Sequence, residues 1–514
     1  MNVLISKLDE IPEMRKLFDF IRSEIIFNEY KYYQPTSEMF HVFIHLLNKD
    51  PSFNEILQPT LDACKEFRLS QSTDNFDLSA TARDRGIRNM GATCYINSTI
   101  QQLYNIKKFR ESLLMHDFDE NDWSFEFQYV FAKLALFPSK YIEITNFLSK
   151  WRGYDNEIVD VHQQQDSVEF LQLLLDRLEK IMPKTISMFQ GEIEHKTIYD
   201  ENNISTNIEN FPIFSIDVKN QESIEDSLKN FLVPDKFEYQ TETKQKREAI
   251  RLHKMKKAPE ILIVQLKRFE FNLQTNQRKK INSKFNFSNK LDLSTIMADS
   301  VPVSYELCGI VQHCGTAMGG HYFSDIKKDD NNWLCMNDTC VSSIDEERLL
   351  IEAAGGDQEI YSITSGYNKT LFDHSCNAYL LFYKRTTNES NMKLIDTELI
   401  KASLGHLSVD SFLTLDNENS STEQINMNCP GFNSKLIDRL LPEIKTTILR
   451  AVCNSSPFSE LVMNICSSNS NGAFLYSHFT NCLSMQSDQQ SRQKLVENCN
   501  RLFQSDPQFC DFVL

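Results

Sequence analysis

A cysteine at position 94 follows a turn-forming segment and precedes a helical pattern. Residues 89–93 favour a turn, because Asn, Gly and Thr are common in turns and helix caps. A helix N-terminus stabilises a thiolate, which is the nucleophilic form of cysteine. The segment therefore suits a nucleophile, although taken alone a buried structural cysteine is the simpler interpretation. The helix is indicated by apolar residues that recur at helical spacing: Ile96, Ile100 and Leu103.

A histidine far downstream has the residue type and setting of a general base. His321 ends a Gly-Gly-His run, and the glycines let another backbone approach closely. Imidazole is the usual base for a cysteine nucleophile near pH 7, and it needs an orienting partner. Asn337 and Asp338 lie just past the predicted return strand of a hairpin, within reach of His321. A single Gly-Gly-His run is a weak signal in a chain with 11 histidines.

The elements that must position these residues divide the chain into three parts. Residues 1–84 show helical periodicity and end in a polar linker. Residues 85–386 begin with helical segments and continue with short apolar β-type runs, such as Ile261 to Val264, separated by polar turns. Residues 387–514 are rich in Ser, Asn and Asp, with one amphipathic stretch that steps by four from Leu436 to Ile448. They are interpreted as a linker and a helical extension.

The composition excludes several classes of function. Of 514 residues, 41% are hydrophobic and 24% charged, which is typical of a globular protein. With 54 Lys and Arg against 71 Asp and Glu, the net charge of −17 disfavours nucleic acid as a partner. No run of about 18 apolar residues predicts a membrane span, and the first residues lack a secretory signal.

The 13 cysteines are scattered, and the chain contains no Cys-x-x-Cys sequence. This distribution argues against a disulfide framework and against a zinc ribbon. Reduced thiols in a cytoplasmic or nuclear protein are the expected state.

Several blocks, taken together and in order, resemble the ubiquitin-specific proteases, a family of papain-like deubiquitinases. The segment from Gly86 to Leu103 is similar to that family's cysteine box, and Gln164 to Phe170 to its Gln-Gln-Asp box. The similarity covers about residues 85–386 and continues in these further blocks: Pro259 to Phe269, Tyr305 to Tyr322, Trp333 to Val341, and Ala378 to Tyr383.

The resemblance implies an α+β papain-like fold with fingers, palm and thumb, flanked by the helical extensions. It implies acyl transfer by Cys94 with His321 as base and acid, Asn337 or Asp338 as the orienting residue, and Asn89 as an oxyanion donor. No cofactor or metal is implied. The implied substrate-binding residues are Asp166, Gln101, Gly319, Gly320 and Tyr322, and for Asp166 a helix cap is the alternative.

Ubiquitin and ubiquitinated proteins are the implied partners, and partners of the helical extensions are unknown. The negative charge suits a modifier with a basic tail. Two alternatives stay open: a ubiquitin-binding scaffold with little or no turnover, and a protease for another ubiquitin-like modifier.

One departure concerns the fingers, at about residues 190–257. Many family members bind zinc there through two Cys-x-x-Cys pairs, whereas this region contains no cysteine. His195 and His253 remain, but two histidines do not make a tetrahedral structural site. We predict that these fingers fold without metal.

Overall fold

The structure is a computed structural model. It describes residues 84–137, 139–200, 203–240, 246–272, 276–299, 301–328, 332–356, 375–386, 433, 435–440 and 443. The chain divides into two compact units, one of Asp84–Leu134 with Tyr141–Lys393, and one of Met1–Arg83, Ala135–Lys140 and Leu394–Leu514. In the second unit, residues 435–440 are helical, which agrees with the amphipathic pattern there. The predicted helices of residues 1–84 lie outside the described residues.

The first unit combines helices and sheets, as expected for an α+β fold. None of the described helices is long and apolar enough to cross a membrane. The helices are α1 Cys94–Asn105, α2 Lys107–Met115, α3 Trp123–Leu136, α4 Thr145–Lys150, α5 Ser167–Ile181, α6 Pro183–Ile186, α7 Ile224–Phe231 and α8 Glu346–Ala354, and a 3₁₀ turn spans Ser187–Phe189.

The strands follow the order of the sequence but pair in a different order. The strands are β1 Gly86–Ile87, β2 Tyr141–Ile142, β3 Gly191–Asp200, β4 Asn203–Phe211, β5 Phe214–Asp217, β6 Asp235–Gln240, β7 Lys246–Lys257, β8 Ile261–Lys267, β9 Phe269–Asn272, β10 Gln277–Lys280, β11 Lys290–Asp292, β12 Ser304–Thr316, β13 Gly319–Lys327, β14 Trp333–Asn337, β15 Cys340–Ile344 and β16 Asn377–Arg385.

The main sheet of the described residues has eight strands in the order β15-β14-β13-β12-β16-β8-β5, with β11 paired to β12. The last strand, β16, therefore lies between β12 and β8. Its first seven residues are all buried, and β8 begins with four buried residues, which explains their continuous apolar sequences. The predicted hairpin is present, because β13 pairs with β14 from Ser324–Met336 to Lys327–Trp333.

A second sheet, in the order β4-β3-β7-β6, occupies the range predicted for the fingers. His195 on β3 faces His253 on β7, with 2.8 Å between their Nδ1 atoms. Among the described residues, no group of three or more His, Cys, Asp or Glu side chains is arranged to hold a metal ion. A metal-free fold of the fingers stays a prediction.

A buried arginine joins segments that surround the start of β16. Among the described residues, the Arg268 guanidinium donates to four backbone carbonyls and to no carboxylate, and burial lowers its pKa to about 10. Because charged groups are costly to bury without hydrogen bonds, these carbonyls are what make the position possible. The acceptors are Ala378 at 2.7 Å, Ile281 at 3.0 Å, Ser283 at 3.1 Å and Ala354 at 3.3 Å.

The structure departs from the sequence analysis in its cysteines. Cys314 and Cys376 form a disulfide across a sequence separation of 62 residues, whereas reduced thiols were expected. The two residues meet because β12 and β16 are neighbours in the sheet, and the sequence spacing does not reveal that pairing. The other cysteines of the described residues are free: Cys94, Cys308, Cys335 and Cys340.

A buried carboxyl on β13 leads to a prediction about stability. Asp325 is fully buried and accepts a hydrogen bond of 2.7 Å from Gln312. Burial raises its pKa from 3.8 to about 7, so the folded protein binds a proton that the unfolded chain releases. The contribution of Asp325 to the free energy of unfolding is therefore fully present below about pH 4 and is lost as the pH rises through about 7.

Asp325→Asn is expected to remove this pH dependence and to stabilise the fold at pH 8 by about 2–4 kcal/mol. Urea unfolding of both proteins at pH 5 and pH 8 measures the difference. An equal pH dependence in the two proteins would contradict the assignment.

Candidate active site

The turn before α1 sets the position of Cys94. The Asn89 side-chain oxygen accepts from the backbone N–H groups of Gly91 and Thr93, each at 3.1 Å. Gly91 has a φ of 143°, a conformation that favours glycine. The helix then begins at Cys94, and its N-cap residue makes no side-chain cap hydrogen bond. The thiol therefore lies at a helix N-terminus, where partial positive charge favours an anion.

His321 on β13 is hydrogen-bonded to both the thiol and Asn337. Its Nε2 lies 2.7 Å from Asn337 Oδ1 and 3.9 Å from Asp338 Oδ2. A side-chain hydrogen bond joins it to Cys94. Since Nε2 is taken by Asn337, Nδ1 is the nitrogen left for the thiol. Of the two candidates for the orienting partner, Asn337 makes the direct contact.

The protonation of His321 follows from these neighbours. The hydrogen bond to Cys94 raises the pKa of His321 to about 9, with support from Asn337 and Asp338 and against the effect of burial. An imidazolium beside a thiol favours the thiolate. His313, also nearby on the sheet, differs: burial and the charge of Lys280 lower its pKa to about 3, so it stays neutral.

Asp338 supports the site by accepting hydrogen bonds from two asparagines rather than by a hydrogen bond to the imidazole. Its Oδ1 accepts from Asn97 at 2.8 Å and its Oδ2 from Asn89 at 3.0 Å. Its backbone carbonyl accepts from Ile87 at 2.8 Å. A Cβ at Gly86 would lie 2.4 Å from that carbonyl oxygen, so glycine is required there. Asp338 thus fixes Asn89 beside the thiol-bearing turn.

Gln164 is a residue that the sequence analysis did not single out. Its Nε2 donates toward Cys94 Sγ at 3.7 Å, and its Oε1 accepts from the backbone N–H of Gly320 at 2.8 Å. The side chain therefore spans the space between the thiol and the glycine pair. The sequence signal that could have identified Gln164 was its place in the block from Gln164 to Phe170, which resembles the family's Gln-Gln-Asp box.

Asp166 and the glycine pair lie beside this space. Asp166 is the N-cap of α5, since its Oδ1 accepts from Val168 N–H at 2.7 Å. Its Oδ2 accepts from Tyr379 Oη at 2.7 Å, and burial raises its pKa. The cap is therefore present, and substrate contact stays a prediction. Gly319 and Gly320 are exposed at the start of β13, as their proposed role requires.

Two predicted substrate-binding residues, Gln101 and Tyr322, are buried in the structure, and their contact with substrate stays a prediction. Gln101 is 3% exposed, and its Nε2 donates to the Arg85 carbonyl at 2.7 Å, so it holds the chain before the cysteine turn. Tyr322 is 3% exposed and packs against His313, with 4.6 Å between ring centroids. Strand alternation explains why Tyr322 is buried next to His321, because residues next to each other on a strand point to opposite faces.

Asn337 leads to a prediction about pH dependence. A carboxylate in place of this amide adds negative charge beside His321 and should raise its pKa above about 9. Iodoacetate is an anionic reagent that the His321 imidazolium attracts, so its reaction with Cys94 falls at alkaline pH as His321 loses its proton. Asn337→Asp is therefore expected to move this alkaline fall in Cys94 alkylation by iodoacetate to higher pH, and Asn337→Ala to lower pH. The alkylation rate between pH 6 and pH 10.5 measures both shifts. If the two variants moved the fall in the same direction, the assigned contact would be wrong.

A thiol at a helix N-terminus and a histidine that is hydrogen-bonded both to this thiol and to an asparagine, in an α+β fold, define a papain-like cysteine site. The ubiquitin carboxyl-terminal hydrolase family model matches residues 85–383, which is more than half of the chain. The chain belongs to this family.

Curated relatives agree with this assignment. Ubiquitin carboxyl-terminal hydrolase 34 of Homo sapiens is 29% identical over 61% of this chain and 10% of its own length. Ubiquitin carboxyl-terminal hydrolase 15 of Schizosaccharomyces pombe is 28% identical over 58% and 28%. Ubiquitin C-terminal hydrolase 12 of Arabidopsis thaliana is 28% identical over 70% and 34%. The chain thus spans about a third or less of these relatives.

Among solved structures, the SAGA Ubp8/Sgf11/Sus1/Sgf73 DUB module bound to ubiquitin aldehyde is similar to this chain at 23% sequence identity. The TM-score is 0.49, and the match covers 65% of this chain and 75% of that chain.

Proposed function

We propose that this protein is a thiol-dependent deubiquitinase that hydrolyses the isopeptide or peptide bond after the C-terminal glycine of ubiquitin. The observation that carries the proposal is the hydrogen-bonded series of Cys94 at the start of α1, His321 on β13 and Asn337 on β14. Membership of the ubiquitin carboxyl-terminal hydrolase family supports ubiquitin as the substrate.

In the proposed reaction, the Cys94 thiolate attacks the carbonyl carbon of ubiquitin's last glycine. His321, held by Asn337, gives its proton to the leaving amine as the tetrahedral intermediate collapses to a thioester. The same imidazole, now neutral, removes a proton from water, which attacks the thioester and releases ubiquitin. No metal or organic cofactor has a part in these steps.

The oxyanion of the intermediate forms next to the α1 N-terminus. Asn89 is the proposed side-chain donor, together with the Cys94 N–H, because its amide is fixed by Asp338 at 3.0 Å. The substrate tail must also replace the contact between Gln164 and Gly320, since that amide lies between the glycines and the thiol. Asp166 would accept hydrogen bonds from the tail.

The experiment is a reaction with ubiquitin that carries a thiol-reactive group at its C-terminus. An adduct on the wild-type protein that is absent from Cys94→Ala is the expected result, detected as a mass shift of one ubiquitin. The matched control is Cys340→Ala, which removes an exposed free thiol from the same domain. Binding without an adduct would favour a scaffold, and an adduct formed with another modifier's probe alone would favour that modifier as substrate.

A further inference from the structure

The disulfide lies beside the strand that carries His321, because one of its cysteines is on the neighbouring strand. Cys314 on β12 is the cross-strand partner of His321 on β13. On its other side, β12 pairs with β16 as far as His313 and Asn377, and the bond from Cys314 to Cys376 extends this contact by one residue. The bond thus joins the end of β12 to the chain that enters β16.

Non-covalent contacts hold the same junction. The Lys280 ammonium donates to the carbonyl of His313 at 2.7 Å and also to the carbonyl of Ser375. The backbone N–H of Gly315 donates to Ser375 Oγ at 2.9 Å. These contacts do not depend on the sulfur–sulfur bond. Its reduction should therefore loosen the junction without unfolding the sheet.

The hairpin formed by β12 and β13 connects this junction to the Cys94 thiol through a series of contacts. Gly315 pairs with Gly320, whose N–H is held by Gln164, and Gln164 reaches Cys94. His321 follows Gly320 and is hydrogen-bonded to Cys94. A displacement of the backbone at the end of β12 therefore changes the contacts of the Cys94 thiol through residues that touch one another.

The pair is accessible to small reagents, because Cys314 and Cys376 are both half-buried. Cys308 on the same strand provides a comparison. It is a free thiol that lies 3.3 Å from the Phe382 carbonyl. Burial raises its pKa to about 12, which makes it a poor thiol for exchange.

We propose that Cys314 and Cys376 are a redox-sensitive modification site that sets the reactivity of Cys94. In the bridged form, the end of β12 is fixed and His321 stays in register with the thiol. In the reduced form, the junction relaxes and the hydrogen bond from His321 to Cys94 weakens. A consequence for deubiquitination rests on the proposed function, but the effect on Cys94 itself does not.

The oxidant is a small disulfide. A thiolate of the pair attacks it, which gives a mixed disulfide and releases one thiolate, and the second cysteine then displaces the other. The two protein thiols lose two protons and two electrons, and the oxidant is reduced to its thiols. Breaking the protein bond with a dithiol is the reverse reaction.

The test equilibrates the full chain in mixtures of reduced and oxidised dithiothreitol, which leave no stable adduct on a lone thiol such as Cys94. After blocking and tryptic digestion, mass spectrometry quantifies the cross-linked peptides 291–327 and 370–384. Cys94 alkylation by iodoacetamide is measured on the same samples at pH 7. Hydrolysis of a fluorogenic ubiquitin substrate is a separate readout.

The bridged protein is expected to alkylate at Cys94 about fivefold faster than the reduced one, the effect of one ordinary hydrogen bond. Cys376→Ser should react at the rate of the reduced protein in every mixture. Cys308→Ser, the matched control on the same tryptic peptide, should keep both the cross-link and the full response.

Three results would overturn the inference: no cross-link between these peptides in any mixture, equal alkylation of the bridged and reduced forms, or an unchanged response in Cys376→Ser. Loss of ubiquitin hydrolysis in all samples, with the alkylation response intact, would instead count against the proposed function alone.

Discussion

Replacing His321 with alanine is expected to lower kcat for ubiquitin hydrolysis by about 10⁴-fold, because the leaving amine loses its acid and the thiol its base. In the structure this imidazole is hydrogen-bonded to both Cys94 and Asn337. The affinity for ubiquitin should change little, since the side chain acts on the reacting atoms rather than on the body of the substrate. Steady-state kinetics and calorimetric titration measure the two quantities.

The matched control for that variant is His162→Ala. His162 is exposed and lies beside the turn that precedes Cys94, yet no hydrogen bond joins it to the Cys94 thiol. Its removal should leave kcat within about twofold, as is usual for a surface substitution. Near-normal turnover in His321→Ala would refute the assignment of the base.

Replacing Asn89 with alanine should lower kcat by about 10²–10³-fold, the loss typical of removing one oxyanion donor. The physical reason is that Asp338 already holds the Asn89 amide, in the turn before Cys94, before substrate arrives. Single-turnover kinetics with a ubiquitin ester or amide substrate separates this effect from product release.

Asn97→Ala is the control that separates donation from support. Asn97 is buried and donates to the other oxygen of the same Asp338 carboxylate. It therefore shares with Asn89 the contact to Asp338 but is not the proposed oxyanion donor. We expect about tenfold loss or less for Asn97→Ala. An equal loss in both variants would mean that Asn89 acts only by positioning Asp338.

The parts of the fold that the sequence predicted are those with a local signal. The start of α1 at Cys94 and the cap of α5 at Asp166 depend on residues within one helical turn. The strand at Ala378 to Tyr383 is a continuous apolar run, as a strand buried on both faces must be. Family resemblance added the order of the blocks, and the match of the family model to residues 85–383 confirms the family.

The unpredicted features of the site depend on contacts between distant segments. Asn97 and Asp338 are 241 residues apart, and Gln164 lies 70 residues from Cys94. The burial of Gln101 and Tyr322 was not predicted, because block membership says nothing about which side of the element a residue faces. The cysteine bridge follows from the sheet order, in which the last strand pairs with β12.

The central position of β16 has a consequence for synthesis on the ribosome. Among the described strands of its unit, β16 is the last to be made, yet it joins β12 and its neighbours to β8 and β5. Domains fold as units, with the chain emerging from its N-terminus first. Until Arg385 emerges, the two halves of the sheet have no strand between them. Cys94 is made some 290 residues earlier, so we expect the site around this thiol to be completed only after β16 has paired with β12 and β8.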